Sequence, residues 1–182
     1  MFRFVIILAV IAYLAVNSPA QSTCLLPDST YWTCADSGRL SRVCPESTVT
    51  VQASSPVVSF TAVHFHKSCR YGWAGGDAAG QVVLVRTTDG GRHWQRTLTP
   101  VMPEGDRVER ISAVGDLLVY ALLRSGRVLR SHDWGCTYMQ IVPVPVAGLT
   151  YENGRRYFEE SLRRFGGRGD EGSAVGMPGS RR

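Results

Sequence analysis

Arg86-Thr87-Thr88-Asp89-Gly90-Gly91-Arg92-His93-Trp94 recurs 44 residues further on as Arg130-Ser131-His132-Asp133-Trp134-Gly135-Cys136-Thr137-Tyr138. A hydroxyl (Thr87, Ser131), a carboxylate (Asp89, Asp133), a glycine (Gly91, Gly135) and an aromatic (Trp94, Tyr138) hold the same places in both copies. A repeat of this period signals a propeller-like or repeat architecture. The residue types suit a tight turn between strands. The carboxylate can accept backbone N–H groups that a strand ladder leaves unpaired, and the hydroxyl adds a second local bond. Glycine permits a left-handed or crowded backbone, and the aromatic covers the turn with apolar surface. All of this is fold chemistry, so Asp89 and Asp133 are expected to be structural rather than catalytic.

Outward from these turns, short β-branched and aromatic runs alternate with Gly and Asp turns, and no helical period is sustained. The spacing predicts strands over 58–66, 71–75, 81–86 and 94–98, then over 110–114, 117–123, 127–131 and 137–142. Four strands are thus followed by four strands, each set containing one copy of the turn. Between the sets, Pro100, Pro103, Glu104, Gly105 and Asp106 form a loop. After Pro143 and Pro145, residues 152–165 predict one short helix, with Asn153 as N-cap, Phe158 and Leu162 on one face, and Gly166-Gly167 as a stop. Beyond it, Gly, Arg and Ser dominate, and a disordered tail is expected. The organisation is therefore 1–20 as a signal segment, 21–56 as a cysteine-containing segment, 57–146 as two blade repeats, 147–165 as linker and helix, and 166–182 as tail.

The repeated turns resemble the Asp box, also called the bacterial neuraminidase repeat. Phe60-Thr61-Ala62-Val63-His64-Phe65, Tyr71-Gly72-Trp73-Ala74-Gly75-Gly76-Asp77 and the first turn together resemble one blade of the photosystem II stability and assembly factor family. The second set, from Ile111 onward, is similar but lacks the Gly-Trp-Ala-Gly-Gly-Asp segment, and the resemblance covers about residues 58–142. It implies an all-β chain: a truncated or incomplete β-propeller of two, or three, four-stranded antiparallel blades. Asp36-Ser37-Gly38 is the candidate for a decayed third box, although Cys34 stands where the hydroxyl belongs. The resemblance also implies that the loop carrying Cys69 and the turn carrying Cys136 emerge on the same side of adjacent blades, so a Cys69–Cys136 disulfide is expected. Propellers usually need at least about four blades to close. A chain this short must therefore cover its open blades with its own ends, with further copies, or with a larger complex.

The first residues bear on the compartment. Met1, Phe2 and Arg3 precede an apolar run from Phe4 to Val16, and Ser18 and Ala20 stand at the minus-three and minus-one positions before Gln21. That pattern reads as a cleavable signal peptide; if retained, the same segment is an N-terminal anchor. Export makes oxidised cysteines permissible. The five are Cys24, Cys34, Cys44, Cys69 and Cys136, and an odd number leaves at least one free or paired with another chain. Cys24, Cys34 and Cys44 lie ten apart; which two would pair is not readable.

The formal charge of +5 comes almost wholly from arginine, Lys67 being the single lysine, and the basic residues are interspersed with acids. This is a solvated surface rather than the contiguous basic field of a nucleic-acid groove. His64, His66 and Cys69 form a trio that alternation on a strand brings together. A polar strand face explains it as well as a metal site does, so no metal or other cofactor is expected. Arg168-Gly169-Asp170 spells an adhesion tripeptide of a length that arises by chance.

A sialidase would need an arginine cluster, a tyrosine nucleophile with an acidic partner and an acid/base carboxylate, and no spacing singles out such a set. No catalytic residue is therefore assigned. Trp73, Arg92 and Trp134 are candidates for a partner surface, because buried-rim aromatics and arginines anchor protein interfaces. The expectation is a non-catalytic interaction module, an accessory or assembly subunit of a periplasmic, envelope-associated or extracellular complex. Its partner would be another protein or a further copy of itself, and the membrane would be met only through an uncleaved signal segment. The competing expectation is a glycan-binding protein or an inactive remnant of a sialidase-like propeller.

Overall fold

A computed structural model describes residues 23–34, 37–54, 57–115, 117–141 and 150–166. The expected signal segment (1–20), residues 142–149 and the expected tail beyond Gly166, with its Arg168-Gly169-Asp170, lie outside the described residues. Three four-stranded antiparallel sheets follow one another, each with its strands in chain order. The first contains β1 (Thr23–Leu25), β2 (Tyr31–Cys34), β3 (Arg39–Cys44) and β4 (Ser47–Gln52). The second contains β5 (Val58–Phe65), β6 (Gly72–Ala78), β7 (Gln81–Thr87) and β8 (Gln95–Arg96). The third contains β9 (Val108–Val114), β10 (Leu118–Leu123), β11 (Val128–Ser131) and β12 (Met139–Ile141), and a helix, α1 (Tyr151–Gly166), comes last. The described residues form an open arc of blade-like sheets, not a closed propeller.

The cysteine-containing segment thus supplies a complete sheet of its own. Asp36-Ser37-Gly38, however, is no third copy of the repeated turn. Ser37 and Gly38 close the connection between β2 and β3, the second and third strands. The repeated turns join third to fourth strands, β7 to β8 and β11 to β12.

Burial follows position in the stack. Val82, Val83, Leu84 and Val85 of β7 are all buried, because the second sheet is covered on both faces. One face packs with Trp32, Leu40, Phe60 and Phe65 in a cluster shared with the first sheet. The other packs with Val108, Val119, Ala121 and Leu129 in a cluster shared with the third. A strand covered on both sides reads as a continuous apolar run rather than an alternation. Val119 through Leu123 of β10 are likewise all buried. The outer face of the third sheet, with Tyr120, Leu122 and Val128, is covered by Phe158, Tyr151, Tyr157 and Leu162 of α1.

The predicted helix therefore takes the place of a next blade. Its N-cap is Thr150 rather than Asn153, since the Asn153 N–H donates to Thr150 Oγ1 at 3.3 Å. Asn153 occupies the third helical position, where its amide is one of the donors a cap must satisfy.

The opposite end of the stack is finished by composition. Thr23 pairs with Thr33, Thr33 with Ser41 and Ser41 with Thr50, so one row of hydroxyl residues crosses all four strands of the first sheet. Ser41 and Thr50 share a hydrogen bond at 2.8 Å. A sheet with one wet face takes this form, polar outward and apolar inward.

Candidate functional site

The two repeated turns are superimposable in their hydrogen bonding. Thr87 Oγ1 donates to Asp89 Oδ1 at 2.8 Å and accepts from the Gly91 N–H at 3.0 Å. Ser131 Oγ donates to Asp133 Oδ1 at 2.7 Å and accepts from the Gly135 N–H at 2.8 Å. The carboxylates then accept from the chain four residues on: the His93 N–H at 3.0 Å and the Thr137 N–H at 2.9 Å. Their second oxygens meet His93 Nδ1 and Thr137 Oγ1, each at 2.6 Å.

These bonds set the charge state. The His93 N–H foremost holds the Asp89 carboxyl well below the usual carboxylate range, against a lesser opposing effect of burial. Burial alone would raise Asp133, but the bonds from Thr137, Ser131 and Cys136 outweigh it and hold that carboxyl at about 2. Both carboxylates are committed to the turns, so neither is available as an acid or base.

Each turn also clasps the preceding sheet. A Cβ on Gly91 would run into the Trp32 ring, and one on Gly135 into the Trp73 ring. The Trp73 Nε1–H donates to the Trp134 carbonyl at 2.8 Å. Trp73, expected at the surface, is 1% exposed; it is the peg between second and third sheets and not part of a partner surface.

Trp134 is placed differently. It occupies the position of Gly90 in the first turn and shares its left-handed backbone, with φ +59° against +72°. That conformation costs a bulky residue about 1–2 kcal/mol. It swings the indole across to the second sheet, where Tyr71 stacks on it at 4.2 Å between ring centroids and His66 meets it edge-on at 6.1 Å. The Arg70 guanidinium lies 5.8 Å from the Tyr71 centroid. Arg70 also donates from Nε to the Thr88 carbonyl at 3.1 Å, and its own carbonyl accepts from the Gly90 N–H at 2.8 Å.

The loop after β5 is thereby tied to the turn after β7. Between them runs an open depression whose charged lining is Arg70, Arg92 and the turn carboxylate Asp89, with Ser68, Cys69 and Thr88 between. Tyr71, Trp134 and His66 are half-buried, while Arg70 and Arg92 are exposed. Of the three residues expected at a partner surface, Trp134 and Arg92 retain the accessibility for it. Tyr71, Arg70 and His66 join them through contacts between sheets that no local motif announces.

His64 lies on β5 and His66 just past its end, and they do not converge with Cys69. His64 stacks on Trp73 at 6.3 Å; burial foremost, with His66 nearby, pushes its imidazole down to about 4. Among the described residues, no group of three His, Cys, Asp or Glu side chains is placed to hold a metal ion.

The expected Cys69–Cys136 disulfide is not formed, and both residues are thiols. Cys69 packs, with Cys24, against the cluster between first and second sheets. Cys136 sits in the turn of the third sheet, where its carbonyl accepts from the Leu98 N–H at 2.9 Å. Cys69 thus faces the first sheet, whereas Cys136 belongs to the turn of the third.

With this geometry described, comparison with solved structures defines the chain as one with the fold of a β-propeller segment. It is similar to YCF48 bound to D1 peptide, with TM-score 0.56 and 19% identity over 70% of this chain and 42% of that one. YCF48 from Cyanidioschyzon merolae gives TM-score 0.55 and 18% identity over 70% and 41%. The GH74 xyloglucanase from Xanthomonas campestris gives 0.52 and 16% over 69% and 21%. The chain thus spans about two-fifths of the YCF48 structures it matches. No family model and no curated sequence matches it.

Proposed function

We propose that this chain is a non-catalytic protein-binding module, an accessory or assembly subunit of an exported complex, and that it engages its partner through Trp134, Tyr71, Arg70 and Arg92. The observation that carries this reading is Trp134. A large aromatic held in a left-handed turn, where the sister turn has glycine, has no role in closing the turn itself. Its half-exposed stack with Tyr71, beside two exposed arginines, has the composition of an interface anchor.

Other features support the reading without carrying it. The Asp-box-like turns and the blade pattern resemble the photosystem II assembly factors, and the similar YCF48 structure holds a D1 peptide. Asp89, kept ionised by its turn bonds, faces the depression with Arg70 and Arg92, so its charged lining is two arginines and one carboxylate. The signal-like first 20 residues favour a periplasmic, envelope or extracellular setting.

Trp134→Gly separates binding from folding. Relief of the backbone strain, about 1–2 kcal/mol, offsets loss of the aromatic stack, roughly 0.5–1.5 kcal/mol. Stability is therefore expected to change little. Affinity for a co-purifying protein, measured by titration calorimetry, is expected to fall at least about tenfold. Partner binding unaffected by both Trp134→Gly and Arg92→Glu would overturn the reading, as would a clean monomer that binds oligosaccharide and no protein.

A further inference from the structure

From the first sheet we infer a self-association site: β4 of one copy pairs antiparallel with β4 of a second copy, joining two first sheets into one eight-stranded sheet. This surface lies apart from the Trp134 cluster and does not depend on it.

The three sheets end on very different outer strands. β8 has 2 residues and β12 has 3, and short edges offer little to a pairing strand. β4 runs for 6 residues, Ser47-Thr48-Val49-Thr50-Val51-Gln52, exposed at all but Val51. Its register against β3 is unbroken from Cys44↔Ser47 to Arg39↔Gln52, whereas the β5–β6 and β9–β10 pairs each contain an irregularity. It carries no charge, no proline and no bulge, the devices by which edge strands are usually kept from pairing.

The hydrogen-bond alternation sets which groups are free. The β3–β4 hairpin turns on Pro45 and Glu46, with Cys44 opposite Ser47. In such a hairpin the flanking pair is hydrogen-bonded, and narrow and wide pairs then alternate. Val49 and Val51 therefore bond inward to Arg42 and Leu40, while the N–H and C=O of Thr48, Thr50 and Gln52 point outward from the sheet.

The occupant is argued from self-complementarity. Antiparallel pairing about a two-fold axis at Thr50 sets Thr50 opposite its own copy, Thr48 opposite Gln52 of that copy, and Val49 opposite Val51. Side chains directly opposite then share a face, as antiparallel pairing requires, and every pair matches hydroxyl or amide with hydroxyl, or valine with valine. Val51 packs against the core cluster on the Leu40 face, and Val49, 53% exposed, continues that face. A second copy would cover Val49 with valine and add no charge to the contact, although the chain as a whole carries +5. Such isologous contacts are the commonest route to a closed dimer.

The test is native mass by light scattering and sedimentation over a range of concentrations, on the chain and three variants, Thr50→Pro, Thr50→Lys and Trp134→Gly. Thr50→Pro removes the central outward donor, and a proline whose N–H faced solvent is tolerated on an edge. Thr50→Lys keeps the backbone donor and sets two lysines directly opposite each other across the two-fold axis. Circular dichroism and thermal melting report the fold. The expected result is a wild-type dimer whose dissociation constant rises at least about tenfold in both Thr50 variants, with far-UV spectrum and monomer melting retained; if Thr50→Pro misfolds, Thr50→Lys alone decides. A wild-type monomer at every concentration overturns the proposal, including one whose β4 edge is taken by a foreign strand. So does a dimer that persists in Thr50→Lys, or one dissolved only by Trp134→Gly.

Discussion

At the residue scale, the two turns show how a few side chains fix both a local bend and a contact between sheets. Asp89 and Asp133 satisfy the backbone of the turn, and Gly91 and Gly135 leave room for Trp32 and Trp73 of the sheet before. Gly135 sits at φ +77°, so Gly135→Ala adds left-handed strain to a collision with a buried indole. It is expected to destabilise the chain by roughly 2–4 kcal/mol, read from urea unfolding with an unchanged m-value.

Acid should act in two stages. The His64 imidazole is lowered from 6.5 to about 4 in the folded chain, so the unfolded state binds more protons between those values and stability falls as pH drops through them. Asp133, lowered from 3.8 to about 2, contributes stability that is present above 3.8 and lost as pH falls toward about 2. A His64→Gln variant should lose the first stage and keep the second in a pH series of thermal melts. An unchanged first stage would refute the assignment to His64.

At the scale of elements, α1 shows how tertiary demand uses a modest local signal. Tyr151, Tyr157, Phe158 and Leu162 make an apolar face on a helix otherwise rich in Arg and Glu. Thr150 caps its start, and Glu152 and Arg155 pair across one turn at 3.0 Å. Short helices gain most of their stability from such packing rather than from propensity. Phe158 is fully buried and meets Tyr120 edge-on at 6.5 Å between centroids. Phe158→Ala is expected to cost about 3–5 kcal/mol, seen first as loss of hydrogen-exchange protection across α1 and β10. Full protection of α1 in that variant would show that the helix is held by something other than this face.

At the scale of the whole molecule, an arc of sheets must finish at two open ends. One end is the hydroxyl row of the first sheet, and the other is the helix laid over Tyr120, Leu122 and Val128. A chain truncated after the third sheet is therefore expected to aggregate through this apolar face. Light scattering on dilution from denaturant would detect it, and a soluble, monomeric truncated form would contradict the capping role. The same asymmetry leaves β4 as the outer strand with the longest unpaired edge among the described sheets.

The sequence by itself determined what is local and periodic. The repeated hydroxyl–carboxylate–glycine turns, the strand pattern around them and the amphipathic helix are all written in neighbouring residues, because short-range hydrogen bonding and alternation dictate them. It also marked Trp134 and Arg92 as candidates. The tertiary structure alone decided matters that depend on which face a neighbour covers. Trp73 became an inter-sheet peg because Gly135 of the next turn leaves a hole for it. Cys69 packs toward the first sheet while Cys136 stays in the turn of the third, so the expected bridge is not made. The cysteine-rich segment became a full sheet because its Trp32 and Leu40 meet Phe60 and Phe65 across the gap, a complementarity that no single strand contains.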